Sequence, residues 1–166
     1  MGTVAEPPPP PHPSEGEIHR VIGEILRNNN FPMTSQALKR KFMERFPRES
    51  EAIFSQNVVA GEEAGGYREF PGRHAYYSVD WAGDEDPVQK VNRMVANAAS
   101  QIVTRTRRLL RAQEIIDTVK RENPSFEGVA ELNSVMLNTQ LFTDEVMQRN
   151  HIIRVSDRSV IYKADY

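Results

Sequence analysis

The chain has 166 residues, no cysteine, an apolar share of 39% and a formal net charge of −2. Its length suits one medium domain or two small ones, and the lack of cysteine excludes disulfides and thiolate metal sites and fits an intracellular protein. No apolar run approaches the ~20 residues that span a bilayer and no signal-peptide core follows Met1; the near-neutral charge means that any nucleic-acid contact must come from local patches.

Residues 1–13 read as a proline-rich tail, because proline fixes φ and lacks an N–H donor; an extended or disordered segment is expected. Ser14-Glu-Gly-Glu17 has capping-box spacing. Ile18, Val21, Ile22, Ile25 and Leu26 then repeat at helical spacing, and the asparagines at 28–30 with Pro32 stop that helix. Thr34 or Ser35 starts a second helix that turns Leu38, Phe42 and Phe46 inward, and Pro47 breaks it. A third is expected from Ser50, presenting Ile53, Phe54 and Val58 before Gly61, Gly65 and Gly66.

A β-hairpin follows. The stretch Arg68-Glu-Phe-Pro-Gly-Arg-His-Ala-Tyr-Tyr-Ser-Val-Asp-Trp81 lies without a gap over the last fourteen residues, Ile153-Arg-Val-Ser-Asp-Arg-Ser-Val-Ile-Tyr-Lys-Ala-Asp-Tyr166. In that overlay Arg73 matches Arg158, Tyr77 matches Tyr162 and Asp80 matches Asp165. Pro71-Gly72 and Ser156-Asp157 supply turn chemistry. Phe70, Ala75, Tyr77 and Val79, like Val155, Val160, Tyr162 and Ala164, are expected to face a core.

Between the hairpins, Asp86-Pro87 opens a helix. No glycine or proline occurs from Val88 to Glu122. Val88, Val91, Val95, Ala98, Ile102, Leu109, Ala112, Ile116 and Val119 form a stripe near 3.5-residue spacing, interrupted by Arg105. It reads as one long helix or two stacked ones, and 87–122 is a candidate for self-association. From about Arg107 it becomes the first helix of a second unit. Val129, Leu132, Val135 and Met136 mark the next helix; Leu141, Phe142, Val146 and Met147 mark the third.

Three helices followed by a hairpin is the order of a winged helix, here met twice. The expected fold class is mainly α with small β-hairpins (α+β), as two winged-helix modules joined by a long helix. The expected boundaries are a tail at 1–13, a first module at 14–82, a helical linker at 83–106 and a second module at 107–166.

No catalytic, metal or cofactor site is expected. His12, His19, His74 and His151 are scattered without ligand spacing. Gly61 to Gly66 is acidic, unlike a phosphate loop, and no serine has nucleophile-elbow flanks. Asp84, Glu85 and Asp86 read as a solvated turn that caps a helix.

Basic residues are the candidates for contact. Lys39, Arg40 and Lys41 decorate helix two. Arg107, Arg108 and Arg111, with Arg105, crowd the middle of the long helix, where like charges repel without a partner. Arg73 and Arg158 stand at the two wing turns, where arginines reach phosphates or a minor groove. The bland alternative is that these side chains solvate exposed faces while their stems cover apolar surface. The third helices carry Glu49, Glu51, Glu62 and Glu63 in the first module and Asp144 and Glu145 in the second, which opposes major-groove reading there.

Phe70-Pro-Gly-Arg-His-Ala-Tyr-Tyr followed by a polar linker, with the terminal Ile152-Ile-Arg-Val-Ser-Asp-Arg-Ser-Val-Ile-Tyr, resembles the tandem winged-helix subunits of the transcription machinery. The core of the transcription factor IIE beta subunit is the nearest of these, with relatives among RNA polymerase I and III subunits. The resemblance spans about Ser14 to Tyr166, although 81–106 is longer than is usual there. It implies a non-catalytic factor, nuclear if the source is eukaryotic, that bridges protein subunits of a transcription-type complex and double-stranded DNA. Low-specificity DNA binding is one expectation; a pure protein–protein adaptor without DNA binding is the alternative.

Overall fold

In the computed structural model, which describes residues 12–156 and 160–165, the chain is mainly helical with two small antiparallel sheets. Ser14 caps α1 (Glu15–Arg27), its hydroxyl accepting the backbone N–H of Glu17 at 3.1 Å. Thr34 does the same for α2 (Ser35–Arg45) through the N–H of Ala37 at 3.2 Å, and Asp86 Oδ1 accepts from Val88 and Gln89 to start α6 (Pro87–Thr106). Each cap satisfies N–H groups that the first helical turn leaves without partners. The short helices α3 (Glu51–Asn57), α4 (Glu62–Gly65) and α5 (Val79–Ala82) complete the elements before α6.

Two stretches share one order of elements. The first runs α1, the two-residue strand β1 (Met33–Thr34), α2, α3, α4, β2 (Tyr67–Glu69) and β3 (Ala75–Ser78). The second runs α6, β4 (Leu110–Arg111), α7 (Ala112–Glu122), α8 (Ser134–Met136), α9 (Asp144–Arg149), β5 (Ile152–Ser156) and β6 (Ile161–Ala164). A 3-10 turn at Pro124–Phe126 and a π-helical turn at Leu137–Leu141 flank α8. Strand order is β1-β3-β2 in one sheet and β4-β6-β5 in the other.

The stretch expected as a linker therefore heads the second half. Val91, Val95, Ala99, Ile102 and Val103 of α6 are buried in one core with Ile115, Ile116 and Val119 of α7. Of the two readings open for 87–122, one helix or two, the structure has two, with the break at Arg107 in the left-handed region at φ 55°. The chain then pairs β4 with β6 before α7 begins. Most of the stripe offered for self-association thus faces inward, although Val88 and Leu109 stay exposed. Val129 and Leu132 are buried without forming a helix of their own.

The hairpin overlay holds for the first strand and slips by one on the second. Glu69 stands opposite Tyr76, and Arg154 stands opposite Tyr162. The extra residue is Val155, a β-bulge between Arg154 and Ser156. Tyr162 is thus the counterpart of Tyr76, not of Tyr77, whose counterpart is Lys163. A one-residue slip exchanges the faces of a strand, so Val155, expected inside, is 46% exposed.

Neither face of β3 is open to solvent. Tyr67, Tyr76 and Met33 face the core of α1–α3, with Ile22, Leu38, Phe42 and Phe54. Ala75 and Tyr77 face the other way into the core that contains the second half. Trp81 packs edge-on to both Tyr77 and Phe31, and Phe31 lies 4.8 Å centroid to centroid from Phe126. These rings join the two halves.

Candidate nucleic-acid interface

Helix α2 buries Leu38 and Phe42, one turn apart, and so turns the intervening basic residues outward. Lys39 Nζ lies 3.5 Å from Glu51 on α3. Arg40 and Lys41 are exposed and hold no ion pair among the described residues. Both line a cleft of about 470 Å³ whose far wall is Pro124, Ser125 and Gly128 of the second half. None of its lining residues is acidic. Lys41 also borders a smaller cleft of about 210 Å³ with Glu44 and Arg45.

The other expected contacts lie elsewhere. Arg73 follows Gly72, whose φ of +72° forms the turn, and its guanidinium reaches toward Glu131 of the second half at 3.8 Å. Arg108 pairs with Glu114 at 3.2 Å and donates to the carbonyl of Leu109. Arg111 pairs with Ile161 in the sheet, and its backbone N–H reaches Glu114 Oε1 at 3.4 Å. Arg105 is ion-paired with Glu122. The arginine crowd thus has nearby carboxylates, Glu114 and Glu122, that supply part of the partner its charge demands. Arg107 sits at the left-handed break between α6 and β4, and Arg158 lies outside the described residues.

The basic residues stand on separate elements. Arg111 precedes α7 and Pro124 follows it, and eleven helical residues rise about 16 Å. Arg73 stands over a third cleft of about 420 Å³, beside Val88, Val129 and Met136. Exposed ion pairs such as Lys39–Glu51 contribute only ~0–1 kcal/mol, so a phosphate can displace the carboxylate with little loss.

The short helices before each hairpin offer no cationic reading surface. Glu51 stands on α3 and Glu62 and Glu63 on α4; 134–141 carries no charge at all, and α9 starts with Asp144 and Glu145. What the residues alone did not show was the far wall of the cleft. Its signal was Gly128, a lone glycine beside Phe126 and Val129. A Cβ there would stand 2.1 Å from Thr34 Cγ2.

Among the described residues no three His, Asp or Glu side chains gather as metal ligands, and no helix is long and apolar enough to cross a membrane. No protein-family model, curated protein or solved structure matches the chain.

Proposed function

We propose that the chain is a non-catalytic tandem winged-helix factor of a transcription-type complex, bridging protein partners and holding double-stranded nucleic acid with low sequence specificity. The observation that carries this is the repeated order of helix, short strand, helix, two short helices and hairpin, with the same strand order in both sheets. Arg40 and Lys41 would supply the strongest phosphate contacts because no carboxylate holds them. Low specificity follows from acidic or uncharged helices at the positions that usually enter the major groove.

Duplex binding, measured by fluorescence anisotropy from about 50 to 200 mM salt, tests the reading. Reversing the charges of Lys39, Arg40 and Lys41 is expected to weaken binding equally across unrelated sequences. It should also flatten the logarithmic salt slope by about 0.9 for each phosphate that is no longer neutralised. Undetectable duplex binding at the lowest salt would sink the nucleic-acid part of the proposal.

The adaptor reading also has an observation in its favour. The outer face of the second sheet, with Ile153 and Ile161 half-buried and Lys163 exposed, is the counterpart of the face that the first sheet buries against its neighbour. Capture of a protein partner by a variant with all the basic positions reversed supports this reading over the first.

A further inference from the structure

The cleft between α2 and residues 124–128 needs both halves of the chain. On the α2 side Gln36 and Arg40 are one turn apart, as are Ala37 and Lys41, so a ridge of polar ends faces the gap. On the other side Pro124 opens a 3-10 turn whose Phe126 is fixed against Phe31. Gly128 then lets the backbone lie against Thr34 where any side chain would collide. The walls are therefore set by aromatic packing and close approach rather than by long side chains.

Besides the Asn29 amide, which donates to the Phe31 carbonyl, and the Thr34 hydroxyl, which caps α2, four donors line this gap: the Arg40 guanidinium, the Lys41 ammonium, the Gln36 amide and the Ser125 hydroxyl. None of the four side chains has a hydrogen-bond or ion-pair partner among the described residues. No carboxylate lines the cleft to neutralise them. We propose that this cleft is a phosphate-binding site, made jointly by the two halves and absent from either alone. Its volume of about 470 Å³ falls in the range of small-ligand clefts, about 300–1,000 Å³. Two adjacent cations, Arg40 and Lys41, with neutral donors on both walls, suit a chain of two or more linked phosphates. Two sources share that chemistry, a free polyphosphate or nucleotide and successive phosphates of a nucleic-acid backbone. Only the second source rests on the nucleic-acid reading above.

The test measures binding of inorganic tripolyphosphate and of labelled duplex DNA to the full chain, by calorimetry and anisotropy, with thermal shift alongside. Ser125→Glu places a carboxylate in the cleft from the second half on an exposed position, and Arg40→Glu with Lys41→Glu does so from the first. Arg108→Glu with Arg111→Glu is the control beyond α7. Tripolyphosphate should raise the melting temperature, and each cleft variant should raise its Kd about tenfold or more, with the control within about twofold. Equal tripolyphosphate binding by wild type and Ser125→Glu overturns the site. Citrate bound as tightly as tripolyphosphate overturns the assignment to phosphate. If DNA binding is lost in the Arg108/Arg111 variant and kept in both cleft variants, the nucleic-acid reading stands with its contacts outside the cleft, and the cleft proposal falls if the cleft variants also keep the wild-type tripolyphosphate Kd. If tripolyphosphate binds in the cleft and DNA does not bind at all, the cleft stands and that reading falls.

Discussion

Gly23 of α1 and Gly65 of α4 touch backbone to backbone: a Cβ on Gly23 would stand 2.0 Å from the carbonyl oxygen of Gly65. The hydrogen of each glycine lets a short, weakly propagated helix lie directly on the first long one. Gly23→Ala puts a methyl group where rigid backbone already is, so it should lower stability by about 1–3 kcal/mol despite alanine's better helix propensity. Urea unfolding followed by circular dichroism measures this, and a stabilised variant would refute the close approach.

Phe126 carries much of the junction between the halves through its contact with Phe31. Phe126→Ala should cost about 3–5 kcal/mol, the usual loss for a buried phenylalanine. Hydrogen exchange should show faster exchange across the junction, at β1 and residues 124–130, before it shows loss of α1. Uniform acceleration along the chain would instead mean that the two halves unfold as one unit without a weaker seam.

Tyr162 is fully buried and donates its hydroxyl proton to Asn138 Oδ1 at 2.7 Å, while Arg154 donates to the same hydroxyl oxygen at 3.2 Å. Tyr162→Phe removes the oxygen and leaves Asn138 without its donor. A loss of about 1–2 kcal/mol is expected, larger than for an exposed tyrosine. Thermal denaturation of Tyr162→Phe beside the exposed-site control Arg68→Ala checks the difference.

Burial raises the phenol pKa of Tyr67 above its ordinary value of 10.0, with smaller contributions from Glu62 and Tyr76. Burial also raises Tyr76, and it raises Tyr162 against the opposing pull of Arg154. In the unfolded chain these phenols lose their protons near pH 10, whereas the folded chain retains them. The unfolded state then binds fewer protons, so these groups leave stability unchanged below pH 10 and reduce it as pH rises toward the folded pKa values. Denaturation midpoints from pH 8 to 11 should fall at the alkaline end, and Tyr67→Phe should fall less steeply there. An identical slope in that variant would remove Tyr67 from the account.

The caps were the most legible part of this chain. Ser14, Thr34 and Asp86 announce helix starts because a short polar side chain followed by helical spacing has few other uses. Strands β1 and β4 were not legible, since two residues carry no periodicity and exist only because β3 and β6 offer them a partner. The sequence leaves one helix or two open around Arg107, as arginine is an ordinary helix former and the left-handed turn is imposed by pairing of the residues that follow. The bulge at Val155 deceived the overlay directly, because a bulge is invisible to a gapless comparison. For the cleft, the cations of α2 were readable, but the acid-free lining that Arg40 and Lys41 share is completed by a loop more than eighty residues away.

Lys163 standing where the first sheet has Tyr77 makes the matching faces of the two sheets chemically unlike. Tyr77 is an adhesive surface, and the second half is stacked upon it. A tyrosine at 163 would offer the same surface again and invite another unit to add, the growth mode of solenoid repeats whose ends are not capped. An exposed ammonium in its place makes a dry stacked interface costly. The two sheets therefore present unlike faces: the first is apolar and covered, and the second carries a charge that favours a polar contact over a dry one.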